Sequence, residues 1–197
     1  MRLKIPMREF QNKTYWIVGA SEGLGRALAI QLAKVGTKVI VSARSEERLI
    51  GLSEEIGSNT MVLPMDVSDR SSVQKAFSKL PKSLDGFIFV SGVYWHMSAS
   101  SWDETKAEEM VDVNLVGAMR CLAHLIPKFI NQGFGHIVLT GSIAGYRGLP
   151  GSVGYCASKA GLMSLAETLK IDLAKNKIDV QLLNPGYIKT RLTDKNP

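Results

Sequence analysis

The sequence has very little of what metal centres and disulfide scaffolds require. Its 197 residues hold two cysteines, Cys121 and Cys156, and three scattered histidines, His96, His124 and His136. Neither set has metal-ligand spacing, so no metal is expected. Two thiols in a chain with no recognisable secretion signal read as reduced, half-buried side chains rather than a disulfide. Long apolar runs are also missing. Lys, Asp, Gly or Pro repeatedly breaks them, so no segment of bilayer-spanning length is expected. Met1 to Phe10 is basic but lacks an apolar core of signal-peptide length, and a cytoplasmic location is the expectation. Basic residues outnumber acidic ones, 24 against 18, for a net charge of +6. Yet no run of four basic residues occurs and none is interleaved with aromatics, so neither nucleic acid nor membrane is an expected partner. There is no linker and no low-complexity segment.

What is present is a regular alternation. Hydrophobic residues at 45% and charged residues at 21% suit one globular domain, expected to span 1–197. Short β-branched runs predict strands at Thr14–Val18, Lys38–Ser42, Thr60–Pro64, Gly86–Val90, His136–Thr140 and Asp179–Leu183. Their near-continuous hydrophobicity is that of strands covered on both faces. Helical periods fill the gaps, at Leu24–Val35, Glu46–Ile56, Ser71–Leu80, about Asp103 to Asn131 and about Ser152 to Lys175. Ser45, Ser68, and Ser101 or Asp103 are candidate N-caps. The fold class that follows is α/β, a three-layer doubly wound parallel sheet of the Rossmann type.

Three features carry chemistry. The first strand runs into Gly19-Ala20-Ser21-Glu22-Gly23-Leu24-Gly25 and then a helix. Glycines there let a tight turn form and let a pyrophosphate reach bare backbone at a helix N-terminus. Strand two ends Val41-Ser42-Ala43-Arg44-Ser45, with no carboxylate to bind a ribose diol. A guanidinium at Arg44 suits a 2′-phosphate, with Ser42 and Ser45 as added donors, so NADP(H) is favoured over NAD(H). Finally, Tyr155 and Lys159 stand at i and i+4 on a predicted helix, one above the other. A nearby ammonium favours tyrosinate and is expected to lower the phenol's pKa towards a useful range.

Further motifs stand in order around these. Ser142 precedes Tyr155 by thirteen positions, Asn114 lies in the long predicted helix, and Asn184-Pro185-Gly186-Tyr187-Ile188-Lys189-Thr190 follows strand six. With the G-x-x-x-G-x-G spacing, these resemble the short-chain dehydrogenase/reductase family over Thr14 to Thr190. Departures are Val18 where the loop usually opens with Thr, Glu22 where a basic residue is frequent, and Val90-Ser91-Gly92 in place of an asparagine-rich turn.

The resemblance implies a catalytic set of Asn114, Ser142, Tyr155 and Lys159. Tyr155 would exchange a proton with substrate, Ser142 would orient the substrate oxygen, and Lys159 would tune Tyr155 and bind the nicotinamide ribose. Asn114 would hold a relay water, its helix opening locally. It also implies a cofactor site of Gly19, Ser21, Glu22, Gly23, Leu24 and Gly25, then Arg44, Asp66, Val67 and Gly92, Tyr155 and Lys159 again, and Pro185, Gly186, Ile188 and Thr190. Asp66 would meet the adenine amino group, Thr190 the carboxamide. The expected activity is hydride transfer between NADPH and a small, moderately hydrophobic carbonyl or alcohol. A dinucleotide-binding regulator without turnover is the alternative. A sugar-nucleotide epimerase fits neither the glycine spacing nor the chain length. Val93–Met97 and Ile143–Leu149 are expected to line the substrate pocket, with His96 left outside the catalytic set. Ala157, Ala160 and Gly161 are compatible with close helix packing in a homodimer or homotetramer. Relatives continue past Pro197 with a lid and a last strand, so the natural chain is expected to be longer, its sixth strand otherwise an exposed edge.

Overall fold

Six parallel strands form one sheet in the order β3-β2-β1-β4-β5-β6 in the computed structural model, which describes residues 8–192. The strands are β1 Thr14–Val18, β2 Lys38–Ser42, β3 Thr60–Val62, β4 Gly86–Phe89, β5 Gly135–Thr140 and β6 Ile178–Leu183. The helices are α1 Gly23–Lys34, α2 Glu46–Ile56, α3 Arg70–Ser78, α4 Glu104–Val111, α5 Gly117–Gln132 and α6 Val153–Asp172. Strand and helix positions agree with the sequence reading to within three residues at each end. One cap differs: Asp69, not Ser68, caps α3 by accepting from the Ser71 amide, while α4 is capped by Asp103, one of the two candidates.

The strand order reverses direction between β1 and β4, so their following helices leave towards opposite faces and a crevice opens at the strand tips. One core packs α1 and α2 on Tyr15, Ile17, Val39, Val41, Ile88 and Val138. The other packs residues of α3, α5 and α6 on Trp16, Val18, Phe87, Phe89, Ile137 and Leu139. Central strands are buried on both faces; β6 lies at the edge and alternates, Ile178 and Val180 inward with Asp179 and Gln181 exposed. Burying polar residues would be costly there, and the alternation avoids it.

One stretch departs from the expectation about long apolar segments. Glu104–Gln132 is a continuous helical run long and apolar enough, by length and composition, to cross a membrane. Its apolar side is spent on the core, with Ala118, Cys121, Leu122, Leu125 and Phe129 buried. The run also contains a five-residue π turn at Asp112–Val116. Met1 to Phe10, read above for its charge, lies in part outside the described residues. Both cysteines are free and buried.

At the end of the sheet away from the crevice, Tyr15 reaches across β4. A Cβ on Gly86 would stand 2.1 Å from the Tyr15 ring, so only glycine lets that ring pass. The Tyr15 hydroxyl then meets His136 Nδ1 at 3.0 Å, and His136 Nε2 meets Gln181 Oε1 at 3.2 Å. An amide oxygen can only accept, so Nε2 carries the proton and Nδ1 accepts from the phenol. Burial, with a smaller contribution from the Arg8 charge, lowers His136 to about 4. The unfolded imidazole titrates near 6.5, so folding stability from this group is intact above that pH and lost as pH falls towards 4. Denaturant titrations of wild type between pH 7 and 4 should therefore lose about 2–3 kcal/mol more than those of His136→Gln; equal slopes would show that the imidazole titrates normally in the fold.

Candidate active site

The crevice at the tips of β1 and β4 has a volume of about 370 Å³. Its floor is the turn from β1 into α1. Gly19 has φ +98°, and a Cβ there would stand 2.5 Å from the Ser91 amide nitrogen; on Gly25 it would stand 2.1 Å from the Gly19 carbonyl oxygen. These contacts leave no room for side chains, and bare backbone faces the crevice. No side chain caps the N-terminus of α1, so its first amides and the positive end of its dipole are open to an anion. The cradle fits a dinucleotide pyrophosphate.

Gly19, Ser21, Glu22, Gly23, Leu24, Gly25, Arg44, Asp66, Val67, Gly92, Pro185, Gly186, Ile188 and Thr190 all line this crevice, as do Ser142, Tyr155 and Lys159. Asn114 does not. It lies behind Gly92, where a Cβ would be 3.3 Å from the Asn114 amide oxygen and 3.9 Å from Lys159 Nζ. Its helix is open, as expected, in the π turn. Its side chain is held by three hydrogen bonds. The amide oxygen accepts from Val93 N–H at 2.7 Å, while the amide nitrogen donates to the Val93 carbonyl and to Ser158 Oγ, each at 3.0 Å. Asn114 is thus a clamp between the loop after β4 and helix α6.

Helix α6 carries the candidate reacting groups Tyr155 and Lys159. Lys159 is buried, and its ammonium donates to the Thr140 carbonyl at the end of β5, 2.7 Å away. The same nitrogen is 5.7 Å from the centroid of the Tyr155 ring. Ser142 heads a short 3₁₀ turn, accepting from the Ala144 amide at 3.1 Å. The pKa expectation for Tyr155 is not met. Burial raises it, and a hydrogen bond with Ser142 only partly offsets that. The phenol's own loss of solvent is the main cause, and burial likewise lowers Lys159 to about 8. Tyr94 packs edge-on against Tyr155, with ring centroids 5.2 Å apart.

On the rim that follows β3, Asp66 caps its own turn. One carboxylate oxygen accepts from the Ser68 amide at 2.9 Å and hydroxyl at 2.7 Å. Arg44 is exposed and lines the crevice, but Ser42 is buried and accepts from the Trp16 indole at 2.8 Å, and Ser45 caps α2. Ser42 is thus turned away from the crevice, whereas Ser45 lines it and caps α2 as the sequence suggested. The sequence reading missed Arg48 and Arg191. Both line the crevice and both pair with Glu22, at 2.6 and 3.4 Å. The i, i+4 spacing of Arg44 and Arg48 in α2 and its lead-in was the available signal. Of Val93–Met97 only Val93 reaches the crevice; Tyr94 and Met97 are buried and His96 is exposed. Ile143, Tyr146 and Leu149 are exposed, and the Asn184 amide nitrogen donates to the Tyr146 hydroxyl at 2.8 Å.

The comparisons with known proteins agree with this geometry. A family model described as short chain dehydrogenase matches residues 13–197. The chain is 33% identical over 189 residues to the 3-oxoacyl-(acyl-carrier-protein) reductase FabG of Rickettsia typhi, covering 96% of this chain and 78% of that one. It is 32% identical to the protein of the same name from Aquifex aeolicus, with 94% and 77% covered. Among solved structures, the closed form of a serine dehydrogenase complexed with NADP+ superposes with a TM-score of 0.88 at 26% identity, covering 92% of this chain and 75% of that one. A short-chain type dehydrogenase/reductase from Mycobacterium marinum gives 0.89 at 25% identity, covering 94% and 77%.

The buried ammonium makes a prediction about stability. With Lys159 near 8 in the fold and near 10.5 unfolded, the folded chain bears the cost of a buried charge below pH 8, and that cost fades as pH rises to 10.5. Lys159→Met should therefore melt above wild type at pH 7, with the gap narrowing by pH 10. A gap that does not change with pH would place the lysine in an ordinary solvated setting.

Proposed function

As a member of the short-chain dehydrogenase family, the chain is an oxidoreductase that uses a nicotinamide cofactor, and we propose that it transfers hydride between NADPH and a small, moderately hydrophobic carbonyl or alcohol. One observation carries this reading. Ser142, Tyr155 and Lys159 lie on the wall of the same crevice whose floor is the glycine cradle and whose rim holds Arg44. A site for dinucleotide binding alone needs neither the Ser142 hydroxyl nor a phenol set beside it as a proton donor.

When bound, the cofactor supplies the hydride and, once oxidised, a positive ring that favours ionised tyrosine. The protein supplies position, proton and field. Tyr155 gives its hydroxyl proton to the carbonyl oxygen in reduction and takes one from the alcohol in oxidation. Ser142 hydrogen-bonds that oxygen, the atom on which charge develops. Lys159 holds the cofactor ribose and keeps a positive charge behind the phenol. Asn114 holds the Val93 loop against α6, and a relay water would bind at the second lone pair of its amide oxygen or at the opened main chain of the π turn. Thr190 steadies the carboxamide and Asp66 uses its remaining oxygen on the adenine. The exposed Ile143, Tyr146 and Leu149 offer apolar surface beside the reacting end, which supports a moderately hydrophobic substrate.

The preference for NADPH is supported by the charge around the rim. No carboxylate ends β2, and Glu22, which would oppose a phosphate, is neutralised by two arginines. Arg44 would grip the 2′-phosphate through its planar fork. We also place the protein in the cytoplasm, as a homodimer or homotetramer. Ala157 and Ala160 face outward on α6, free to pack on another subunit, while Gly161 packs against Leu115 within its own.

Two measurements test this. NADPH turnover against a panel of ketones and aldehydes should fall by about 10²–10⁴-fold in Tyr155→Phe while NADPH binding persists. Wild-type binding of NADPH with no turnover of any carbonyl would instead favour a dinucleotide-sensing role. By fluorescence titration, Arg44→Ala should weaken NADPH binding by about 10–100-fold and leave NADH binding nearly unchanged; equal losses for both would remove the 2′-phosphate contact.

A further inference from the structure

The long helical run carries one more residue with a task. Arg120, on α5, is largely buried, with 15% of its side chain exposed. One terminal nitrogen pairs with Asp112 Oδ1 at 2.7 Å, and the other donates to the Val67 carbonyl at 3.0 Å. The first partner opens the π turn that carries Asn114. The second follows Asp66 on the crevice rim.

The sequence separation of the ion pair is informative. Residues eight apart on a regular α-helix differ by about 80° around the axis, which turns them to different faces. A π turn absorbs one extra residue, so the separation behaves as seven, about two full turns, and the two side chains share a face. The Asp112–Arg120 pair is therefore better aligned in the register that the π turn creates than in the regular one. Its attraction biases the backbone towards the open turn. At the same place Gly117 brings α5 close to the rim loop, since a Cβ there would be 2.9 Å from Val67 Cγ2. The guanidinium spans that contact.

We propose that Arg120 is a positioning residue that locks the π turn around Asn114 and ties it to the Asp66–Val67 loop, so that the order of the two segments is linked. The linkage to the cofactor rests on the proposed function; the lock on the turn does not. The two contacts can be cut separately. Asp112→Asn removes the charge pair and leaves the Val67 contact, whereas Arg120→Met removes both.

Hydrogen–deuterium exchange of the full chain, alongside NADPH titration, tests the proposal. Asp112→Asn should speed exchange of residues 112–117 by about tenfold and leave residues 66–68 unchanged. Arg120→Met should speed both segments and weaken NADPH binding severalfold, with exchange in the β4 and β5 core unchanged. Arg120→Lys, with a single nitrogen, should recover at most one of the two segments. Unchanged exchange at 112–117 in both variants overturns the lock, and so does a uniform rise across the whole chain, which is the mark of a merely structural residue. If wild type fails to bind NADPH, the proposed function falls, and the exchange pattern still decides the role of Arg120.

Discussion

A positive charge inside the protein, met by the carbonyl of Thr140, is the constraint on which the rest of the site depends. For the Lys159 ammonium to end on that carbonyl, α6 must lie close over the end of β5. Glycines make the approach possible: a Cβ on Gly145 would be 3.1 Å from the Lys159 backbone, and Gly92 leaves space between Lys159 and Asn114. Once α6 is at that depth, Tyr155 faces the crevice one turn before Lys159, and Ser158 presents its hydroxyl to the amide of Asn114. Loop, π turn and helix are thus assembled around one desolvated charge. An ammonium in such a place is costly for stability, and residues kept at such a cost are characteristic of sites that do chemistry.

Much of the architecture was legible in the chain because it depends on local period. β1 and β2 fall where short, nearly continuous hydrophobic runs place them, and α2 begins at its Ser45 cap as its sequence suggests. The edge strand β6 was recognised as a strand, and its one-sided burial follows from Asp179 and Gln181. The π turn was foreseen only through a family resemblance, since no pattern in Asp112–Val116 distinguishes a five-residue turn from a regular one. The membrane-length stretch was overlooked for a related reason. Charged residues near its start disguise a run whose apolar side becomes visible only once it lies on the sheet.

The site was legible unevenly. Glycines and the Tyr155–Lys159 pair read well, because their roles follow from spacing and from what a missing side chain permits. Side-chain direction read poorly. Ser42 and Arg44 are two apart at the end of one strand, yet Ser42 turns inward to Trp16 while Arg44 lies exposed at the crevice. The pKa of Tyr155 was misjudged because spacing gives proximity but says nothing of solvation. Arg48 and Arg191 were missed because their importance comes from Glu22, a residue that looked like a departure until its partners were in view.

The crossing of β4 by Tyr15 has a mechanical consequence. It pins β1 to β5, strands that share no ladder, through a phenol wedged over a residue without a side chain. The phenol adds a side-chain tie between two strands that already share β4 as a neighbour, and so stiffens the lower edge of the sheet as a keel does. The opposite rim is built of loops instead, held to the helices by polar contacts such as those of Asn114 and Arg120.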